Sequence, residues 1–147
     1  MNNSKNQKSI SRYVKLEDYK VFDYEIPEIF LDFVIKKNAV NVTTKLNLVK
    51  KNKNTKNLTL DGTDILINKI FIDDSLLERE YYKQQKNNLK IRNINKDNFL
   101  LKIEGIIKPK ENTSLLGMYE SNGIITTQCE AEAVSYTHLT LPTILPV

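Results

Sequence analysis

The sequence is poor in the residues that carry most side-chain chemistry. Of 147 residues one is cysteine, Cys129, so no disulfide can form within the chain, which fits a reducing compartment. One is histidine, His138. Arginine is scarce, and the net charge of +4 comes mostly from lysines scattered among asparagine and isoleucine, a mixture that AT-rich codons favour. A nucleic-acid binder would gather its positive charge on one face or stripe, so no nucleic-acid partner is expected. The densest basic cluster, Lys50-Lys51-Asn52-Lys53-Asn54-Thr55-Lys56, lies between two alternating apolar runs and reads as a solvated hairpin loop. No apolar run is long enough to cross a membrane. The polar opening, residues 1–11, has no apolar centre of a secretory signal and reads as a disordered lead-in. These absences point to a cytoplasmic protein with no membrane partner.

What is present is a composition suited to one folded domain: 40% hydrophobic and 27% charged residues. The apolar period is mostly two. Ile29, Leu31, Phe33 and Ile35 share one face of an extended run. From Val40 to Leu48 apolar and polar residues alternate with one slip, as a bulge would produce. Leu58-Thr59-Leu60 meets a turn signal at Asp61-Gly62, and Ile65–Ile67 and Ile70–Ile72 run up to another at Asp73-Asp74-Ser75. Leu89–Ile94 and Phe99–Ile107 follow. Short strands with turn signals between them predict an all-β sandwich or curved sheet. The one helix candidate is Ser75 to Lys86, with Ser75 as N-cap and Glu78 completing a capping box. Its apolar stripe is poor, and an irregular connection is the alternative.

The last stretch does not read as natural protein. Val134 to Thr143, Val-Ser-Tyr-Thr-His-Leu-Thr-Leu-Pro-Thr, back-translates as GTC TCT TAT ACA CAT CTG ACG CTG CCG ACG. That string is the transposase end and adaptor of DNA sequencing libraries. Residues 133–147 are therefore expected to be a read-through tail, with only the first base of the Ala133 codon genomic. His138 falls in this tail, so residues 1–132 contain no imidazole. They can form no Ser-His-Asp triad, no Cys-His pair and no histidine-ligated zinc site.

The informative segment is Asn112-Thr113-Ser114-Leu115-Leu116-Gly117-Met118-Tyr119-Glu120-Ser121-Asn122-Gly123, followed by Thr127-Gln128-Cys129-Glu130-Ala131-Glu132. It resembles the bacterial branch of the aminopeptidase N family, where the stretch runs N-T-x-L-x-G-L-Y-x-S-x-G and then T-Q-C-E-A-E-G-F. Met118 departs from the usual leucine. The next family residue is glycine, whose codon begins with the G left at position 133. Arg12 to Lys20 is similar to the family's opening Y-R-x-x-D-Y, Leu58 to Ile65 to its L-x-L-D/N-G-E-D-L, and Phe99 to Ile103 to its F-T-L-x-I. The resemblance spans residues 12–132.

The resemblance implies a saddle-like β-sandwich, the N-terminal domain of the family, incomplete at its C-terminal end. This domain packs on a thermolysin-like catalytic domain of the same chain and supplies Q-x-E to the active-site wall. Carried over, Gln128 and Glu130 grip the free α-amino group of a peptide substrate. A compact ammonium group with three donors suits a carboxylate, and charge-assisted hydrogen bonds strengthen where water is excluded. Two residues apart, both side chains lie on one face of an extended strand. On spacing alone they are two solvent-facing residues of an edge strand; the resemblance gives them a role. The parent enzyme would bind zinc through H-E-x-x-H and a further Glu, with zinc activating water. No H-E-x-x-H occurs in residues 1–132, so the isolated chain is expected to hold no zinc and to be inactive. The competing reading is a non-catalytic β-sandwich that binds peptides or proteins by an edge strand. Cut short, the domain is also expected to leave strand edges open and to aggregate.

Overall fold

The computed structural model describes residues 21–114 and 116–128, and the backbone of Leu145 and Pro146. Strands β1 (Tyr24–Ile35), β2 (Val40–Lys50), β3 (Leu58–Asp61), β4 (Ile65–Ile72), β5 (Ser75–Leu76), β6 (Tyr82–Gln84), β7 (Asn88–Ile91), β8 (Asn98–Ile107), β9 (Gly117–Ser121), β10 (Ile124–Gln128) and β11 (Leu145–Pro146) follow one another. They form a five-stranded sheet in the order β1-β2-β8-β4-β5, a four-stranded sheet β11-β3-β7-β6, and a two-stranded hairpin of β9 and β10. Every pairing is antiparallel. The expected all-β sandwich is borne out.

Alternation decides which residues become the core. On β2, Val40, Val42, Thr44, Leu46 and Leu48 all point inward. The expected bulge in this strand is absent: the register with β8 is continuous from Val40 to Val49. The slip in the apolar pattern is a buried threonine, Thr44, standing in an inward position. Bulges occur elsewhere. One shifts β1 between Glu25 and Glu28, around Pro27, whose nitrogen cannot join a ladder. The other shifts β4 between Ile67 and Lys69. That extra residue turns Ile70 and Ile72 to the face already occupied by Ile65 and Ile67; without it they would point to solvent.

The inner faces make two clusters. The larger packs Leu46, Leu48, Ile70, Leu101 and Ile103 of the five-stranded sheet against Leu58, Leu60, Leu89 and Ile91 of the four-stranded one. Each such side chain contributes about 1.5–3 kcal/mol on leaving water. Tyr24 and Phe99 meet edge to face at 6.1 Å at the margin of this core. The smaller cluster, Val40, Val42, Ile65 and Ile107, occupies the other end of the long strands and holds the β9–β10 hairpin through Met118 and Ile125. Ile29, Leu31, Phe33 and Ile35 do share the face of Val40, Val42, Thr44 and Leu46. They are only partly covered, since among the described residues β1 has no neighbour on its far side.

Two further expectations are corrected. Ser75 to Lys86 is not helical. Ser75-Leu76 pairs with β4, Arg79–Tyr81 makes a single 3-10 turn, and Tyr82–Gln84 pairs with β7. Glu78 is extended, with no side-chain cap bond. With no apolar stripe to bury, the capping signal has nothing to support, whereas Leu77 and Tyr82 pack on the large cluster from the extended chain. The basic segment after Lys50 is exposed but is no hairpin: it carries the chain from β2 in one sheet to β3 in the other. Lys50 itself is turned in, its Nζ donating to the Ile94 carbonyl at 3.1 Å with a side chain only 3% exposed. The turn at Asp73-Asp74 is as expected, both residues in the left-handed region that a tight hairpin requires.

Candidate functional site

The segment with the specific motif begins where β8 ends. Pro109 opens a 3-10 turn, Pro109–Glu111, and is buried. Asn112 then organises the loop. Its Oδ1 accepts from the Ser114 backbone N–H at 3.0 Å and from Ser114 Oγ at 2.7 Å. Its Nδ2 donates to the Leu116 carbonyl at 2.7 Å and the Met118 carbonyl at 2.9 Å. Gly117, between those two carbonyls, has φ +71, a conformation that glycine adopts without strain.

Strands β9 and β10 meet through Asn122-Gly123, with φ of +50 and +80. Two successive residues in the left-handed region form the tight turn that matches strand twist, and Asn-Gly is its favoured sequence. The register pairs Gln128 with Gly117, Thr127 with Met118 and Ile125 with Glu120. Met118 and Ile125 face the small cluster. Gln128 therefore lies on the opposite face with Thr126, Ile124, Tyr119 and Gly117, and it is exposed. Lys110 and Glu120 add an ion pair at 3.8 Å beside β9.

Of the two residues expected to bind an amine, Gln128 stands at the end of β10 and Glu130 lies outside the described residues. So do Arg12 to Lys20, Leu115, Cys129, Ala131, Glu132 and His138. The sequence reading took the extended geometry of this stretch from spacing and did not identify the hairpin; Asn122-Gly123 was the signal that marks it. The bracing by Asn112 was also missed, and the Asn-x-Ser spacing of an Asx turn could have indicated it.

Among the described residues no group of three His, Cys, Asp or Glu could hold a metal ion. These residues do not fit the group, and no step through zinc can be built on them. Among the described residues no helix is long and apolar enough to cross a membrane.

No protein-family model matches the chain. Individual proteins do. Aminopeptidase N of Escherichia coli is 33% identical over 123 residues, which cover 84% of this chain and 14% of that protein's length. The solved structure of Legionella pneumophila aminopeptidase A in complex with aspartic acid matches with a TM-score of 0.70 and 31% identity, over 82% of this chain and 14% of that one. An M1 zinc metallopeptidase from Deinococcus radiodurans shares the fold alone, with a TM-score of 0.58 and 9% identity over 74% of this chain and 27% of that one. The β-sandwich is thus of the class found in aminopeptidases. Within it, the chain is homologous to aminopeptidase N and spans about a seventh of the length of that relative.

Proposed function

We propose that this chain is the N-terminal substrate-anchoring domain of a zinc-dependent aminopeptidase, and that Gln128 and Glu130 hold the free α-amino group of a peptide. The observation that carries the reading is the placement of Gln128. It projects from a strand end whose other face is fixed to the core by Met118 and Ile125. Its cross-strand neighbour is Gly117, which has no side chain, so nothing from β9 covers it directly. A continued strand would bring Glu130 to the same face. Gln128 would then offer a neutral carbonyl and Glu130 a carboxylate to one ammonium group. Fixing the amine fixes the distance to the first peptide bond, which is how an exopeptidase counts from the chain end.

The hydrolysis itself belongs to the rest of the parent protein. There a thermolysin-like domain would hold zinc, which supplies a polarised carbonyl and an activated water when bound. Residues 133–147 would be foreign to that parent, and the compartment would be the cytoplasm. The test is Glu130→Ala in the full-length parent, assayed on an amino-acid anilide. The expected result is a KM raised about a hundredfold, the loss of one charge-assisted contact of about 2.7 kcal/mol. Unchanged KM and kcat would remove the anchoring role.

A further inference from the structure

We infer that Asn112 is a positioning residue for the amine-binding end of β10, acting through the start of β9. The inference rests on the reading of Gln128 and Glu130 given above. The amide of Asn112 is used completely. Both Nδ2 hydrogens go to carbonyls two residues apart, Leu116 and Met118, and Oδ1 accepts two bonds from Ser114. The Ser114 bonds fix which end of the amide is oxygen. The two carbonyls bracket Gly117, the residue paired with Gln128. Gly117 is held at φ +71 just where the loop becomes a strand. From Gly117 to Ser121 the chain has one further anchor in the small cluster, the flexible Met118 side chain. Asn112 therefore sets where β9 begins, and the β9 register sets where Gln128 ends. A displacement of one ångström at this point would move the amine-binding groups away from a substrate held elsewhere by the catalytic domain.

Two substitutions separate this role from simple packing. Asn112→Ala removes all four bonds. Asn112→Asp keeps the shape and the two Ser114 bonds, yet turns an oxygen toward the two carbonyls, so attraction becomes repulsion. In the full-length parent each should raise KM about tenfold with kcat within about twofold. Ser114→Ala, at an exposed position, removes one bond on the Oδ1 side and the hydroxyl that accepts from the Leu116 N–H at 3.3 Å, and should raise KM about two- to threefold. It serves if the Asn112 variants do not fold. Amide exchange in the full-length parent gives a readout independent of catalysis: faster exchange across β9–β10 with β2–β8 unchanged. Glu130→Ala is measured alongside. If it raises KM while the Asn112 and Ser114 variants do not, the positioning role is wrong and the anchoring site stands. If none of them moves KM, the anchoring reading fails and takes this inference with it. Loss of kcat alone, or exchange faster throughout the chain, also overturns it, since either marks a general structural role.

Discussion

Tyr24 shows how one side chain joins strand, core and solvent. It is 2% exposed, lies between Phe22 and Phe99, and donates its hydroxyl to the Asn57 carbonyl at 3.2 Å. Burial, and then the neighbouring Asp23 charge, push its pKa up to about 12 from 10.0. The fold holds the neutral phenol. The stability this gives is fully present below the unfolded value near 10 and is lost as pH rises through about 12. Tyr24→Phe should cost about 0.5–1.5 kcal/mol at neutral pH for the lost hydrogen bond, and should flatten the decline in melting temperature between pH 10 and 12. Equal alkaline slopes in the two proteins would contradict this. Asp73 works in the other direction. Hydrogen bonds from Lys96 and from the Leu100 backbone N–H lower its pKa below 3.8, so its contribution is present above that value and is lost as pH falls below it. At this scale the sequence showed which residue types were available for chemistry. It did not show partners such as Asn57 and Ile94, because those contacts join chain segments about 33 and 44 residues apart.

At the scale of elements, strands were legible wherever apolar and polar residues alternated, and the errors have physical causes. Thr44 broke the apolar pattern of β2 without breaking its geometry, because a threonine fits an inward strand position. Asn68 broke the geometry of β4 while leaving two tidy apolar runs, Ile65–Ile67 and Ile70–Ile72, that concealed their continuity. The capping signal at Ser75 was local, and pairing of Ser75-Leu76 with β4 overrode it. The β4–β8 crossing carries a prediction of its own. A Cβ added at Gly105 would stand 2.9 Å from the Ile65 Cδ1 and 3.1 Å from the Leu66 carbonyl oxygen. The oxygen is backbone and Ile65 is buried, so neither yields easily. Gly105→Ala should destabilise the chain by about 1–3 kcal/mol, read from urea denaturation. A neutral or stabilising effect would show that β4 and β8 separate at this point without cost.

Across the whole molecule, large apolar side chains reach the surface among the described residues. Ile29, Phe30, Val34 and Ile35 on the outermost long strand, Leu66 on β4 and Ile124 on β10 are all substantially exposed. Apolar side chains on sheet faces and edges are where further chain or a partner can pack, and the chain matches about a seventh of its relative's length. The family resemblance was legible because Thr127 to Glu132 is a specific string, and homology bears that out. The roles proposed for Gln128 and Glu130 rest on that resemblance alone, since spacing by itself describes any edge strand. The measurement that tests the central claim most directly is the sequence of the source locus past the codon for Glu132. The account predicts that the frame continues Gly-Phe and later reaches H-E-x-x-H with a further Glu. A genuine stop codon at that point, or an open frame that never reaches the zinc motif, would contradict it and leave a non-catalytic binding module.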